Sequence, residues 1–246
     1  SDMHEETREP VVTKTGTVIV EEGQDGTMLG EIKVKIADGK MHDWHWTPHT
    51  VDGSIQEDPE IAQAVKEVRR TFVAGPDFTP HVNPFNGETL TQPIDAVVGY
   101  TKVPLFRGSF ADSDMPGVIE GSSHDFLADA FRTIAKSDVG AIRGFRYGTQ
   151  VPAGPIKRED LYHYIPIGPQ IGVVRIQGRW LKRQLANSAD GSLNPDPALW
   201  TGGWLFGYSG LTMDLDPYQA NGFRASNIQI DGKALDPKAV YSYAGY

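Results

Sequence analysis

The sequence contains no cysteine. Disulfides, thiolate metal sites and cysteine nucleophiles are thereby excluded. A cysteine-free chain suits an exported bacterial protein, although many cytosolic proteins lack the residue too. There is no run of about 18 uninterrupted apolar residues, so no membrane-spanning helix is expected. The opening residues, Ser1-Asp2-Met3-His4-Glu5-Glu6, have neither the basic stretch nor the apolar core of a signal peptide. Such a peptide is expected to be absent or already removed. Positive charge is in short supply: 23 Lys and Arg stand against 32 Asp and Glu, a net charge of −9. That balance argues against binding a nucleic-acid polymer or an anionic membrane surface, because a phosphate backbone rewards clustered cations. A local basic patch still suits a small anion. There is no G-x-S-x-G elbow, no phosphate-binding Walker loop, no H-E-x-x-H and no G-x-G-x-x-G placed after a strand. Paired carboxylates at a defined spacing are not discernible either.

The 246 residues are 39% apolar, enough for one large domain, or for one domain with a smaller piece attached. Val11–Thr15 and Thr17–Glu21 are β-branched runs separated by Gly16. Leu29–Ile36 alternates apolar and charged residues as a half-buried strand does, and Asp38-Gly39 turns it back into Lys40–Thr50. Asp58-Pro59 reads as the cap and first residue of a helix running to about Thr71, with Ile61, Ala64, Val65 and Val68 on one face. Gly75–Pro93 contains four prolines and reads as a linker, so a domain boundary is expected between residues 70 and 92.

Beyond it, Ile94–Val103 reads as a strand. Ser122–Arg132 reads as a helix burying Phe126, Leu127, Ala130 and Phe131. Val139–Ile142 is a short apolar strand, Lys157–Tyr164 a short helix and Ile171–Gln177 a strand. Gly178–Ser188 is a helix with Leu181 and Leu185 facing inward. Residues 190–207 read as a long surface loop, followed by three short strands near Tyr208, Ile228 and Val240.

Four patterns bear on chemistry. Asp2-x-His4 places two metal-ligating types two residues apart. His42, His45 and His49 sit in one strand, His45 and His49 on one face and His42 on the other. Arg143-Gly144-Phe145-Arg146-Tyr147-Gly148-Thr149 follows an apolar strand. Its two guanidinium forks can address one oxyanion while the glycines let the backbone approach it closely. Solvated arginines paired with surface carboxylates explain the same pattern. Tyr162–Gln170 sets aromatics beside a Pro-Gly loop that suits one wall of a pocket, or a loop anchored to the core. Trp200, Trp204, Phe206 and Tyr208 suit either stacking on a flat ligand or packing as a lid.

The order of these pieces resembles the C-terminal part of the 5′-nucleotidase family. Phe126-Leu127-Ala128-Asp129-Ala130-Phe131-Arg132, then Ser137–Ile142, then Arg143-Gly144-Phe145-Arg146, follow that family's N-L-x-A-D-A … N-G-G-G-x-R pattern. Pro166-Ile167-Gly168 and Gly178-Arg179-Trp180-Leu181 resemble its P-F-G-N and G-x-x-L steps. The resemblance extends over roughly residues 92–246. Within the family, Gly144–Thr149, Asn194-Pro195-Asp196-Pro197 and Tyr241–Tyr246 are most similar to the thiosulfohydrolase branch of bacterial sulfur oxidation.

This resemblance implies an α+β fold in three parts. Residues 1–55 would be the last strands of a metallophosphoesterase domain, a β-meander remnant. Residues 56–91 would be a linker helix and loop. Residues 92–246 would be the substrate-binding domain, a mixed sheet flanked by helices. It implies a periplasmic two-metal hydrolase in which Asp2 and His4 stand where a G-H-x-H metal motif would be. The remaining ligands of a dinuclear Mn or Zn centre would lie upstream of Ser1, and the domain would continue past Tyr246. The chain alone would then bind no cofactor and be inactive. It would be either part of a longer enzyme or a divergent chain without the chemistry. Arg143, Arg146, Tyr147 and Ile167 would be the substrate-binding residues. Ile167 replaces the family's Phe and Pro169 its Asn, which weakens the case for a nucleotide. Expected partners are a small anionic substrate and, in the thiosulfohydrolase branch, a carrier-protein peptide tail. The rival reading is a non-catalytic module binding an anion or such a peptide.

Overall fold

The structure is a computed structural model that describes residues 6–23, 26–105, 121–142, 150–166, 170–201 and 205–246. In chain order its elements begin with β1 (Val11–Val12), β2 (Val18–Ile19), β3 (Met28–Ala37), β4 (Lys40–Thr50) and α1 (Pro59–Arg69). β5 (His81–Val82), β6 (Thr89–Leu90), β7 (Val97–Thr101), α2 (Ser122–Ala135) and β8 (Val139–Ile142) come next. β9 (Gly154–Lys157), α3 (Arg158–Tyr164), β10 (Gly172–Gln177) and α4 (Gly178–Leu193) follow. The last are β11 (Gly207–Ser209), β12 (Leu211–Leu215), β13 (Ala225–Ile230), β14 (Lys233–Ala234) and β15 (Val240–Gly245). They form two compact units. The first takes residues 1–101 and 154–163, the second residues 102–153 and 164–246.

The first unit is built from hairpins. β3 and β4 pair antiparallel from Met28↔Thr50 to Ala37↔Lys40, as the alternation and the Asp38-Gly39 turn predict. Ile32 stands opposite Trp46 and Val34 opposite Trp44 on one face; Lys33 and Leu29 stand opposite His45 and His49 on the other. Trp46 is buried because Gly30 has no side chain: a Cβ there would lie 2.1 Å from the indole, whose Nε1 donates to Thr7 O at 3.1 Å. α1 starts where its cap predicts, with Asp58 Oδ1 accepting from the Glu60 and Ile61 amides. Its apolar face, however, is not buried. Ile61, Val65 and Val68 remain 63%, 51% and 72% exposed, because no described element packs over them.

The second unit is layered. Its sheet has the order β10-β15-β8-β11, with β8 and β15 parallel and the outer pairs antiparallel. α2 lies on one face. On the other, Leu181 and Leu185 of α4 pack with Val139, Ala141, Tyr208, Leu211, Ile228 and Ile230, joining the β12-β13-β14 sheet to the core. α2 approaches β8 closely at Gly140, where a Cβ would lie 2.1 Å from Ala128 O. The face that α2 buries differs from the expected one. Ser123, His124, Leu127, Ala128 and Phe131 are inside, while Phe126 is 42% exposed and packs edge-on to Tyr164. His124 is drawn in because its Nδ1 accepts from the Gly121 amide and closes the helix start.

α4 also runs five residues beyond the expected Ser188. Its last turn is held by burial of Ala189 and Leu193 and by the following segment folding back on it. There Thr201 N donates to Gly191 O and Trp200 Nε1 to Asn194 O. Part of the expected 190–207 loop is therefore helix. The expected strand over 94–103 is shortened to Val97–Thr101, which pairs with β9.

Ser242 locks β15 to the start of β8. Its amide and its hydroxyl both donate to Asp138 Oδ2 at 2.7 Å, and the Asp138 amide donates back to Ser242 Oγ. The amide bond first and the hydroxyl second hold the Asp138 carboxyl below the ordinary carboxylate range. A depressed folded-state value contributes stability above the unfolded value, near pH 4, that is lost as pH falls through the folded one. Asp138→Asn should cost about 0.5–1.5 kcal/mol at pH 7, toward the lower end because the side chain is exposed. In urea melts the gap to the parent protein should shrink at pH 3.

Candidate substrate-binding site

β8 is followed directly in sequence by Arg143 and, three residues on, Arg146. Its four residues, Val139-Gly140-Ala141-Ile142, are all buried, since both faces of a central strand are covered. At its end Ile142 pairs with Gly207 of β11. Arg143, Arg146, Tyr147 and Ile167 lie outside the described residues, as do Asp2 and His4. The structure does place the segments that flank Arg143, Arg146, Tyr147 and Ile167. Beyond Thr149, Val151 exchanges backbone bonds with Leu105 at 2.8 and 3.0 Å. Ahead of Ile167, Tyr164 is buried and donates its hydroxyl to Ser123 O at 3.1 Å, in the first turn of α2. Burial pushes the Tyr164 phenol well above its ordinary range, so it stays a neutral donor.

The same end of α2 faces the end of β8. Arg132 Nε donates to Asp138 O at 3.1 Å, and Asp129 accepts from Ser209 Oγ at 2.5 Å, Ser209 being the partner of Gly140. α2 and β8 therefore run antiparallel. Four residues nearer the helix start, about 6 Å along the axis, Asp125 lies toward the Ile142 end of the strand. Its carboxyl is raised above the ordinary range, mainly by desolvation and secondarily by the like charge of Asp129.

The sequence reading missed this Asp125–Asp129–Ser209 group. Its one available signal was the i, i+4 spacing of the two aspartates in the α2 segment. In the first unit, His49 donates to Glu31 at 3.2 Å while His45 and His42 join no cluster. Among the described residues no three His, Asp or Glu side chains converge as metal ligands.

Comparison with known proteins agrees with this architecture. The family described as 5′-nucleotidase, C-terminal domain, matches residues 97–246. The chain belongs to the 5′-nucleotidase family through that domain. Among solved structures it is similar to the sulfate thiohydrolase SoxB of Thermus thermophilus, at 21% identity and a TM-score of 0.76. That match covers 100% of this chain and 41% of SoxB. The 5′-nucleotidase precursor of Thermus thermophilus matches at 16% identity and a TM-score of 0.66, covering 96% of this chain and 43% of the other. The NAD nucleotidase of Haemophilus influenzae matches at 12% and 0.51, covering 97% and 47%. The chain thus spans less than half the length of each. No curated protein sequence matches it. None of the helices among the described residues is long and apolar enough to cross a membrane.

Proposed function

We propose that this chain supplies the substrate-binding part of a periplasmic hydrolase in the thiosulfohydrolase-like branch of the family, acting on a sulfur-linked or phosphate ester anion. The observation that carries this reading is the buried strand β8, held between α2 and α4 and leading directly into Arg143 and Arg146. Arg146 and Arg143 would hold the anionic group with their planar donor forks. Tyr147 and Ile167 would line the remainder of the site. A carrier-protein peptide tail bearing the sulfur group is the proposed partner. Two divalent ions, Mn or Zn, would supply the attacking hydroxide when bound. Asp2 and His4 are the only residues of this chain proposed as their ligands.

Arg146→Ala should weaken binding of thiosulfate by about 10–150-fold, the scale of a charged hydrogen bond. Isothermal titration of the whole protein measures it; unchanged affinity would remove Arg146 from the site. Sulfate release from an S-sulfonated peptide, compared with phosphate release from AMP, decides the substrate class. Faster release from AMP would overturn the thiosulfohydrolase-like assignment. Binding without turnover of either by the whole, metal-loaded protein would favour the non-catalytic alternative.

A further inference from the structure

A cavity lies wholly within the first unit. Its volume is about 350 Å³, within the range of small-molecule sites, roughly 300–1,000 Å³. One wall is the β5–β6 hairpin. His81 pairs with Leu90 and Val82 with Thr89, so the alternation of side chains puts His81, Leu90, Asn83 and Glu88 on the same side. The other wall is α3, whose Glu159, Tyr162 and His163 share a face at i, i+3 and i+4. Phe72 and Ile94 complete it. Phe72 stacks on His81 with ring centroids 3.8 Å apart, and His81 Nε2 lies 3.2 Å from Thr71 O, so the aromatic floor is held in place.

The charges select the ligand. The cavity is lined by two carboxylates and by no Lys or Arg. Glu159 is already neutralised, by Arg69 at 2.5 Å and Lys157 at 3.5 Å. Glu88 has no ion pair among the described residues. The hairpin turn that carries it is closed by its own backbone: Asn83 N donates to Glu88 O, and Gly87 N to Asn83 O. An aromatic floor with one uncompensated carboxylate at its rim suits a flat ring bearing an ammonium group. The rings contribute stacking and cation–π attraction, and the carboxylate a charged hydrogen bond.

We propose that this cavity is a binding site for a small aromatic amine, with the ring against Phe72, His81 and Tyr162 and the ammonium on Glu88. It uses none of the anion-site residues and does not depend on the hydrolase reading. Tyr162 and His163 belong to the aromatic Pro-Gly segment singled out in the sequence, and the cavity gives these two residues a use the anion site does not.

The test titrates the 246-residue chain with tryptamine, indole and indole-3-acetate, followed by calorimetry and ligand-observed NMR. Tryptamine is expected to bind saturably, about tenfold or more tighter than indole, with indole-3-acetate weakest. Glu88→Gln should remove the advantage of tryptamine over indole and leave indole binding unchanged. Tyr162→Ala should weaken both. Both positions are exposed, and unchanged thermal melting will show that the variants fold. The proposal is overturned if tryptamine fails to saturate at millimolar concentration. Indole-3-acetate binding as tightly as tryptamine would overturn it too, as would Glu88→Gln leaving the preference intact.

Discussion

Asp190→Ala is expected to destabilise the second unit by about 3–5 kcal/mol, because it strands a buried cation. Arg224 is 5% exposed and sits at the start of β13. Its Nη1 donates to Asp190 Oδ1 at 2.9 Å and to Asn221 Oδ1 at 2.7 Å, while Nε donates to Pro217 O at 2.9 Å. The second oxygen of Asp190 accepts from the Gly222 amide at 2.7 Å. One carboxylate on α4 therefore anchors both the guanidinium and the loop that precedes β13. Removing it leaves the charge inside with two neutral acceptors and no counter-ion. The pair as a whole is a different matter, since withdrawing both charges from water offsets much of their attraction. The double variant Asp190→Leu, Arg224→Met should accordingly recover most of the loss. Urea denaturation followed by circular dichroism measures both. If Asp190→Ala costs no more than an ordinary surface substitution, the Arg224 charge is not confined as the structure places it.

How much of this was legible in the sequence depended on whether the deciding interaction was local. The β3–β4 hairpin, the Asp58 cap and the inward Leu181 and Leu185 rest on period, turn chemistry and capping within a few residues, and each appears where expected. The end of α4 was not legible, because Trp200 and Thr201 hold it from across a loop. Nor was the exposure of α1: its apolar stripe is real, but a stripe does not say what covers it. The two-arginine loop could be read as an anion-binding pattern from residue types alone. The carboxylate group beside its strand could not, since Asp129 meets Ser209 only when α2 folds onto the sheet, 80 residues apart in sequence. The cavity in the first unit is the extreme case, joining Phe72 to His163 through a hairpin and a helix that the sequence presents as unrelated pieces.

The contrast between two helices supplies the second large effect. Leu181→Ala should cost about 2–5 kcal/mol, whereas Ile61→Ala should cost no more than about 0.5 kcal/mol. Both changes remove methyl and methylene groups from the apolar face of a helix, so intrinsic helix preference does not separate them. What separates them is the surroundings. Leu181 is fully buried between β8 and the β12–β13 strands, and truncation there opens a cavity walled by rigid neighbours. Ile61 is 63% exposed, so truncation returns little surface to water. Chemical denaturation of the two variants, with the parent protein as reference, reads the difference directly. A small cost at Leu181 would mean that α4 is not seated on the sheet as described. A large cost at Ile61 would mean that the apolar face of α1 is covered in solution, either by another copy or by chain outside these residues. The stripe that the sequence marks on α1 would then be an interface.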